Sequence, residues 1–187
     1  MPLSCKSFPI RDLPTGQFEE RPEGTAIDTL IIHSMFNPEA KDKFAARSCR
    51  DCLDTYGVST HYFIDLSGMV WRSVPEEKKA WHAGISRMPE DGREGVNAFS
   101  IGIELIGTGN TDFTDAQYQA LALLTRDIMS RHAIRYIYGH CDVAPDRKTD
   151  PWGFDWPRYR QDVLRCCEAA AVRFCEAAQE GDGAQAG

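Results

Sequence analysis

The chain has 187 residues, a net charge of −7 and 42% hydrophobic residues. That length and balance suit one globular domain with a full core. The acidic surplus excludes a broad basic face for nucleic acid. No apolar run approaches the ~18 residues of a membrane span, and the opening MPLSCKSFPIRDLP lacks the apolar centre of an export signal. The seven cysteines (5, 49, 52, 141, 166, 167 and 175) are odd in number and read as reduced thiols. The expectation is a cytoplasmic monomer with no nucleic-acid or membrane partner.

Pro2, Pro9, Pro14 and Pro22 interrupt any periodic pattern, so residues 1–26 are expected to be irregular. Ile27 to His33 is apolar and β-branched and reads as a buried strand with His33 at its C-terminal end. Asn37-Pro38-Glu39 predicts the start of a helix that runs to Tyr56 and stops at Gly57. Val58 to Ile64 and Met69 to Val74 flank Asp65-Leu66-Ser67-Gly68 as a hairpin. A long loop then carries Trp81, His82 and Asn97. Ser100 to Ile106 is the next strand, with Ile101, Ile103 and Leu105 on one face and Gly102, Glu104 and Ile106 on the other.

Thr114 to His132 reads as a helix. Thr114 and Gln117 form a capping box, Phe113 and Tyr118 a hydrophobic staple, and Leu121, Leu124 and Ile128 an apolar stripe. Ile134 to Tyr138 is a strand that ends at Gly139-His140. A last helix is predicted from near Pro157 and carries Val163, Cys167, Ala170 and Phe174. Residues 181–187 are polar and small and read as a disordered tail. The order predicts a single α/β domain over residues 27–180, with a central mixed β-sheet flanked by α-helices and a site at the C-terminal ends of strands.

Gly139 to Trp152, GHCDVAPDRKTDPW, crowds many ionisable groups into one proline-bent stretch. His33, His140 and Asp150 offer two imidazoles and a carboxylate, a donor set of catalytic zinc sites that keep a fourth position open. On these residues alone two blander readings stand beside it: a hydrogen-bonded strand-end His and a turn Asp before proline. Cys49 and Cys52 have redox spacing, but a mid-helix place does not suit that chemistry. Cys141 reads as a small packed side chain.

The ordered segments IIHSM, STHYFID, AWHAGIS, NAFSIGIELIGTG, FTDAQYQAL and GHCDVAPDRKTDPW closely resemble the type-2 N-acetylmuramoyl-L-alanine amidases. These are zinc amidases related to peptidoglycan recognition proteins. The likeness spans about Ile27 to Tyr159 and is nearest to the cytosolic AmpD-type amidases of 1,6-anhydro-muropeptides. It implies one Zn2+ per chain, bound by His33, His140 and Asp150. It implies hydrolysis of the amide between N-acetylmuramic acid and L-alanine of the stem peptide. Glu104 matches the general base and Lys148 the cation that meets the oxyanion. His61, Trp81, His82 and Asn97 match positions that line the cleft or contact substrate. A non-catalytic muropeptide-binding module is the competing reading, although such modules typically lose a zinc ligand.

Two departures stand out. The resemblance leads one to expect arginines for the stem-peptide carboxylates where this chain has Gly57 and Gly95, with Arg93 left nearby. The run DPWGFDW also replaces a more usual DPGPAF beside Asp150.

Overall fold

The computed structural model describes residues 9–166 and 172–175. Among these residues, nine strands and four helices follow in chain order. They are β1 (Ile10–Asp12), β2 (Phe18–Glu20), β3 (Thr29–Met35), α1 (Ala46–Thr55), β4 (Tyr62–Ile64), β5 (Val70–Arg72) and β6 (Lys78–Ala80). After a single 3-10 turn at Val96–Ala98 come β7 (Ser100–Ile106), α2 (Asp115–Met129), β8 (Tyr136–Gly139), α3 (His140–Val143), α4 (Trp156–Cys166) and β9 (Arg173–Phe174). Seven strands form one mixed sheet in the order β1-β5-β4-β7-β3-β8-β9, and β2 pairs with β6 outside it. Only β4 and β5 run antiparallel within the large sheet, across the Asp65–Gly68 turn. None of the described helices is long and apolar enough to cross a membrane.

Strand β7 lies at the centre and every one of its residues is buried. Its alternation divides the core. Ile101, Ile103 and Leu105 join Leu121, Leu124 and Ile128 of α2 and Tyr159 and Val163 of α4 in the main cluster. Ile106 instead packs with Ala46 and Cys49 of α1, and with Phe63. Each fully buried Leu or Ile of this kind contributes about 1.5–3 kcal/mol. Helix α2 is anchored at its start by its capping box. Thr114 Oγ1 accepts from Gln117 N and Gln117 Oε1 accepts from Thr114 N. The Gln117 amide also donates to the carbonyls of Ile64 and Ile106, which ties the helix to the ends of β4 and β7.

Four expectations need correction. The segment 1–26 holds two short strands, paired with β5 and β6 through registers no local pattern shows. Pro9, Pro14 and Pro22 lie just outside them, where a missing N–H costs no ladder bond. Helix α1 begins at Ala46 rather than Asn37. The Asn37 side chain instead builds a turn, accepting from Glu39 N and donating to Ser48 O. Phe174 lies in β9, parallel to β8, and not on the last helix. The loop after Val74 contains β6. Cys167, Ala170 and the tail 181–187 lie outside the described residues.

A half-buried ion cluster joins the end of α2 to the sheet. Glu76 accepts from Tyr62 Oη at 2.7 Å, from Arg131 Nη2 at 2.8 Å and from His132 Nε2 at 2.7 Å. Burial pushes the Glu76 carboxyl up, but hydrogen bonds from Arg131, Tyr62 and His132 outweigh it and hold it near 2. A carboxyl depressed in the fold stabilises it above the unfolded value of ~4.3, and that contribution is lost as pH falls through ~2. Glu76→Gln is therefore expected to cost about 1–2 kcal/mol at pH 7. The gap from the parent chain should narrow from about pH 5 toward pH 2. Urea unfolding across that range is the measurement.

Candidate metal centre

The parallel neighbours β3, β7 and β8 bring the chemistry together through register. His33 is paired with Glu104, and Ile32 with Gly139. His140 follows Gly139, so it emerges beside His33. Asp142 shapes this exit by accepting from Gly139 N at 2.7 Å at the start of α3. The chain then loops out and returns. Cys141 N donates to Asp150 O at 2.9 Å, and Trp152 N donates to Ser34 Oγ at 3.0 Å, which pins Asp150 against the two imidazoles.

His33, His140 and Asp150 are 1%, 4% and 8% exposed and form a group able to hold a metal ion. The Nδ1 atoms of the two imidazoles are 3.1 Å apart. Asp150 Oδ2 lies 3.3 Å from His33 Nδ1 and 3.2 Å from His140 Nδ1. A tetrahedral ion with bonds of about 2.0–2.1 Å sets its ligand atoms about 3.3–3.4 Å apart, so the triangle has the right edge. The far nitrogens face outward: His33 Nε2 meets His82 Nδ1 at 3.0 Å and His140 Nε2 meets Ala83 O at 3.3 Å. A carbonyl only accepts, so His140 carries its proton on Nε2 and turns a bare Nδ1 to the centre.

Electrostatics point the same way. Burial pushes His33 down to about 4, so it is neutral at pH 7 and keeps a free lone pair. For Asp150 burial acts upward, while hydrogen bonds with His140 and then His33 act downward and win; where both Nδ1 atoms are bare, a cation takes the place of those protons. A buried carboxylate beside two imidazole nitrogens is a site that calls for a cation.

Glu104 is 7% exposed, and its Oε2 has no hydrogen-bond partner among the described residues. Burial, and then the charge of Asp150, raise its carboxyl well above the ordinary value, while Lys148 acts the other way. Lys148 lines the same cleft of about 520 Å³. Trp81 and Trp152 both line this cleft, and Trp152 Nε1 donates to Thr149 Oγ1. Trp152 was not singled out by sequence reasoning; its only signal was the departure after Asp150. Two residues of that run are core, since Phe154 and Trp156 pack with Tyr159. Arg147 closes one side by donating through Nη2 to the carbonyls of Ala83 and Ile85.

Two expected substrate contacts lie elsewhere. His61 is fully buried under the cleft rather than lining it. Its Nδ1 accepts from Gly102 N, and its Nε2 lies 3.1 Å from Lys78 O. Burial, with the nearby Arg21, pushes His61 down to about 3, so it is a neutral imidazole at pH 7. Asn97 is half-buried and turns its side chain to the backbone, where Oδ1 accepts from His82 N at 3.2 Å and Ala83 N at 2.7 Å. His82 does line the cleft, though its ring nitrogens are engaged inward. Gly57 and Gly95 adopt left-handed backbone with φ of 65° and 66°, and open space surrounds both. Arg93 is committed to Asp28 and Asp91 and lies over the Phe99 ring.

Comparison with known proteins agrees with this architecture. Residues 23–153 match the family model described as N-acetylmuramoyl-L-alanine amidase. The chain is 45% identical over 151 residues to the 1,6-anhydro-N-acetylmuramyl-L-alanine amidase AmpD of Salmonella typhimurium (strain SL1344), covering 79% of this chain and 74% of that one. It is 36% identical over 170 residues to the AmpD of Haemophilus influenzae, covering 82% and 91%. Among solved structures, a selenomethionine derivative of AmpD superposes with a TM-score of 0.72 at 37% identity, covering 82% of this chain and 94% of that one. The Escherichia coli amidase AmiD, in complex with anhydro-N-acetylmuramic acid-L-Ala-D-gamma-Glu-L-Lys, superposes with a TM-score of 0.61 at 32% identity, covering 76% and 60%. The chain belongs to the N-acetylmuramoyl-L-alanine amidase family.

Proposed function

We propose that this chain is a zinc-dependent amidase of peptidoglycan recycling. It hydrolyses the amide between the lactyl group of 1,6-anhydro-N-acetylmuramic acid and the L-alanine of a stem peptide. The observation that carries the reading is the triangle of His33, His140 and Asp150, with Glu104 and Lys148 beside it. The anhydro-sugar is supported by the names of the AmpD relatives and by the ligand of the AmiD complex. Cytoplasmic location is supported by the thiols of Cys49, Cys52 and Cys141, which form no disulfide among the described residues.

A zinc ion held by the three residues supplies a Lewis acid for the scissile carbonyl and lowers the pKa of a water to about 7. Glu104 takes the proton of the attacking water at Oε2, which has no other partner among the described residues. Burial raises its proton affinity, which suits it to return that proton to the departing alanine nitrogen. Lys148 meets the negative charge that gathers on the amide oxygen, a contribution of about 3–4 kcal/mol for a well-placed donor. Trp81 and Trp152 offer flat apolar faces to the sugar or peptide at the cleft mouth.

Three outcomes test this reading. The purified chain should carry about one zinc, and should release the peptide from an anhydro-muramoyl peptide in a chromatographic assay. Zinc-loaded protein that binds the substrate without cleaving it would instead favour a binding module. Glu104→Gln should lower kcat by at least ~100-fold while zinc content by elemental analysis stays unchanged; survival of turnover within a few-fold removes Glu104 as the base. The glycines at 57 and 95 present no guanidinium to a carboxylate. We therefore expect kcat/KM for stem peptides with lysine or diaminopimelate at the third position to agree within about tenfold, since no bidentate pair separates them. A larger preference for diaminopimelate places its recognition on another cation.

A further inference from the structure

A chain of hydrogen bonds leads from β7 into the centre. Ser100 Oγ lies 2.7 Å from Val96 O, which only accepts, so the hydroxyl proton goes there. The remaining partner of that oxygen is His82 Nε2 at 3.1 Å. His82 must then donate from Nε2 and keep Nδ1 bare. His82 Nδ1 faces His33 Nε2 at 3.0 Å, so His33 donates there, and its own Nδ1 faces the centre unprotonated. Each step follows from the one before, beginning at a carbonyl that has no proton to give.

The surroundings fix His82 in this place. Its ring is buried, and a Cβ built on Gly102 would sit 2.5 Å from His82 Cγ. No other residue type at 102 leaves the ring its room. The backbone N–H groups of His82 and Ala83 both donate to Asn97 Oδ1, which holds the segment against the 3-10 turn before β7. The same segment supports the second imidazole through Ala83 O.

We infer that His82 is a positioning residue of the metal centre: the Ser100–His82–His33 chain selects the His33 tautomer and ring angle that present Nδ1 to the ion. The inference rests on the zinc reading above and assigns His82 an outer supporting role in place of a substrate contact. Outer partners of this kind commonly change metal affinity by about 10–100-fold.

The test uses the full chain and two readouts that do not depend on turnover. Zinc affinity is measured by competition with a chromophoric chelator. The His33 tautomer is read from 15N NMR of histidine-labelled, zinc-free protein. His82→Leu is expected to weaken zinc by about 10–100-fold and to give His33 a mixture of tautomers. His82→Gln restores both, because its amide oxygen accepts from His33 while its amide nitrogen donates to Ser100. Gly102→Ala keeps every polar group but displaces the ring, and should weaken zinc in the same direction. If His82→Leu does not fold, Ser100→Ala removes a single hydroxyl and is expected to mix the His33 tautomers. A parent chain that binds zinc tightly, with His82→Leu within about twofold of it and His33 still in one tautomer, overturns the role of His82 alone. A parent chain that takes up no zinc overturns the amidase reading and this inference with it.

Discussion

The parallel pairing of β3 with β7 and β8 is the constraint on which the rest depends. A strand alternates its side chains with period two, so register decides which groups share a face. Here it sets His33 beside Glu104 and Ile32 beside Gly139. Slipping one strand by one residue would turn Glu104 into the apolar cluster and bring Leu105 or Ile103 to the centre. The register is held by large apolar residues on the opposite face, packed under α2 and α4. Stability and chemistry are thus written on alternate positions of the same strands.

Burying this site is costly, and the arrangement shows how the cost is offset. Hydrogen bonds with His140 and His33 hold Asp150 below the usual carboxylate range, a place a cation can take, and Glu104 responds to burial by holding its proton more tightly. His33 and His61 are both driven toward neutrality by burial. The two have different fates because their partners differ. His61 spends its nitrogens on the backbone around Gly102 and Lys78. His33 has one nitrogen on His82 and the other turned to the centre. A shared environment makes both neutral; hydrogen-bond geometry makes only one a ligand candidate.

The local signals that read well were those in which a side chain acts on its own neighbourhood. The Thr114–Gln117 capping box starts α2, and Gly57 follows α1 with the positive φ that a helix stop uses. The bounds of β7 match its apolar alternation. Where the reading went astray, a distant partner had decided. β1 and β2 exist through their pairing with β5 and β6. Asn37 looked like a helix cap because Asn caps helices, yet its amide is drawn to Ser48 O across the turn. Phe174 has helical spacing from Val163 but extends alongside β8.

By itself the sequence determined the class of fold, the family likeness and the residue types available for the chemistry. Composition, periodicity and ordered motifs are properties of the chain and need no coordinates. Tertiary structure decided which of those residues meet. It closed His33, His140 and Asp150 into a triangle of 3.1–3.3 Å and moved His61 and Asn97 from the cleft into supporting positions. It also divided the run after Asp150, sending Trp152 to the cleft and Phe154 and Trp156 into the core. The physical reason is that proton direction and ligand geometry belong to partners far apart in the chain. Val96, Ser100, His82 and His33 acquire their order only when the sheet and the long loop pack together.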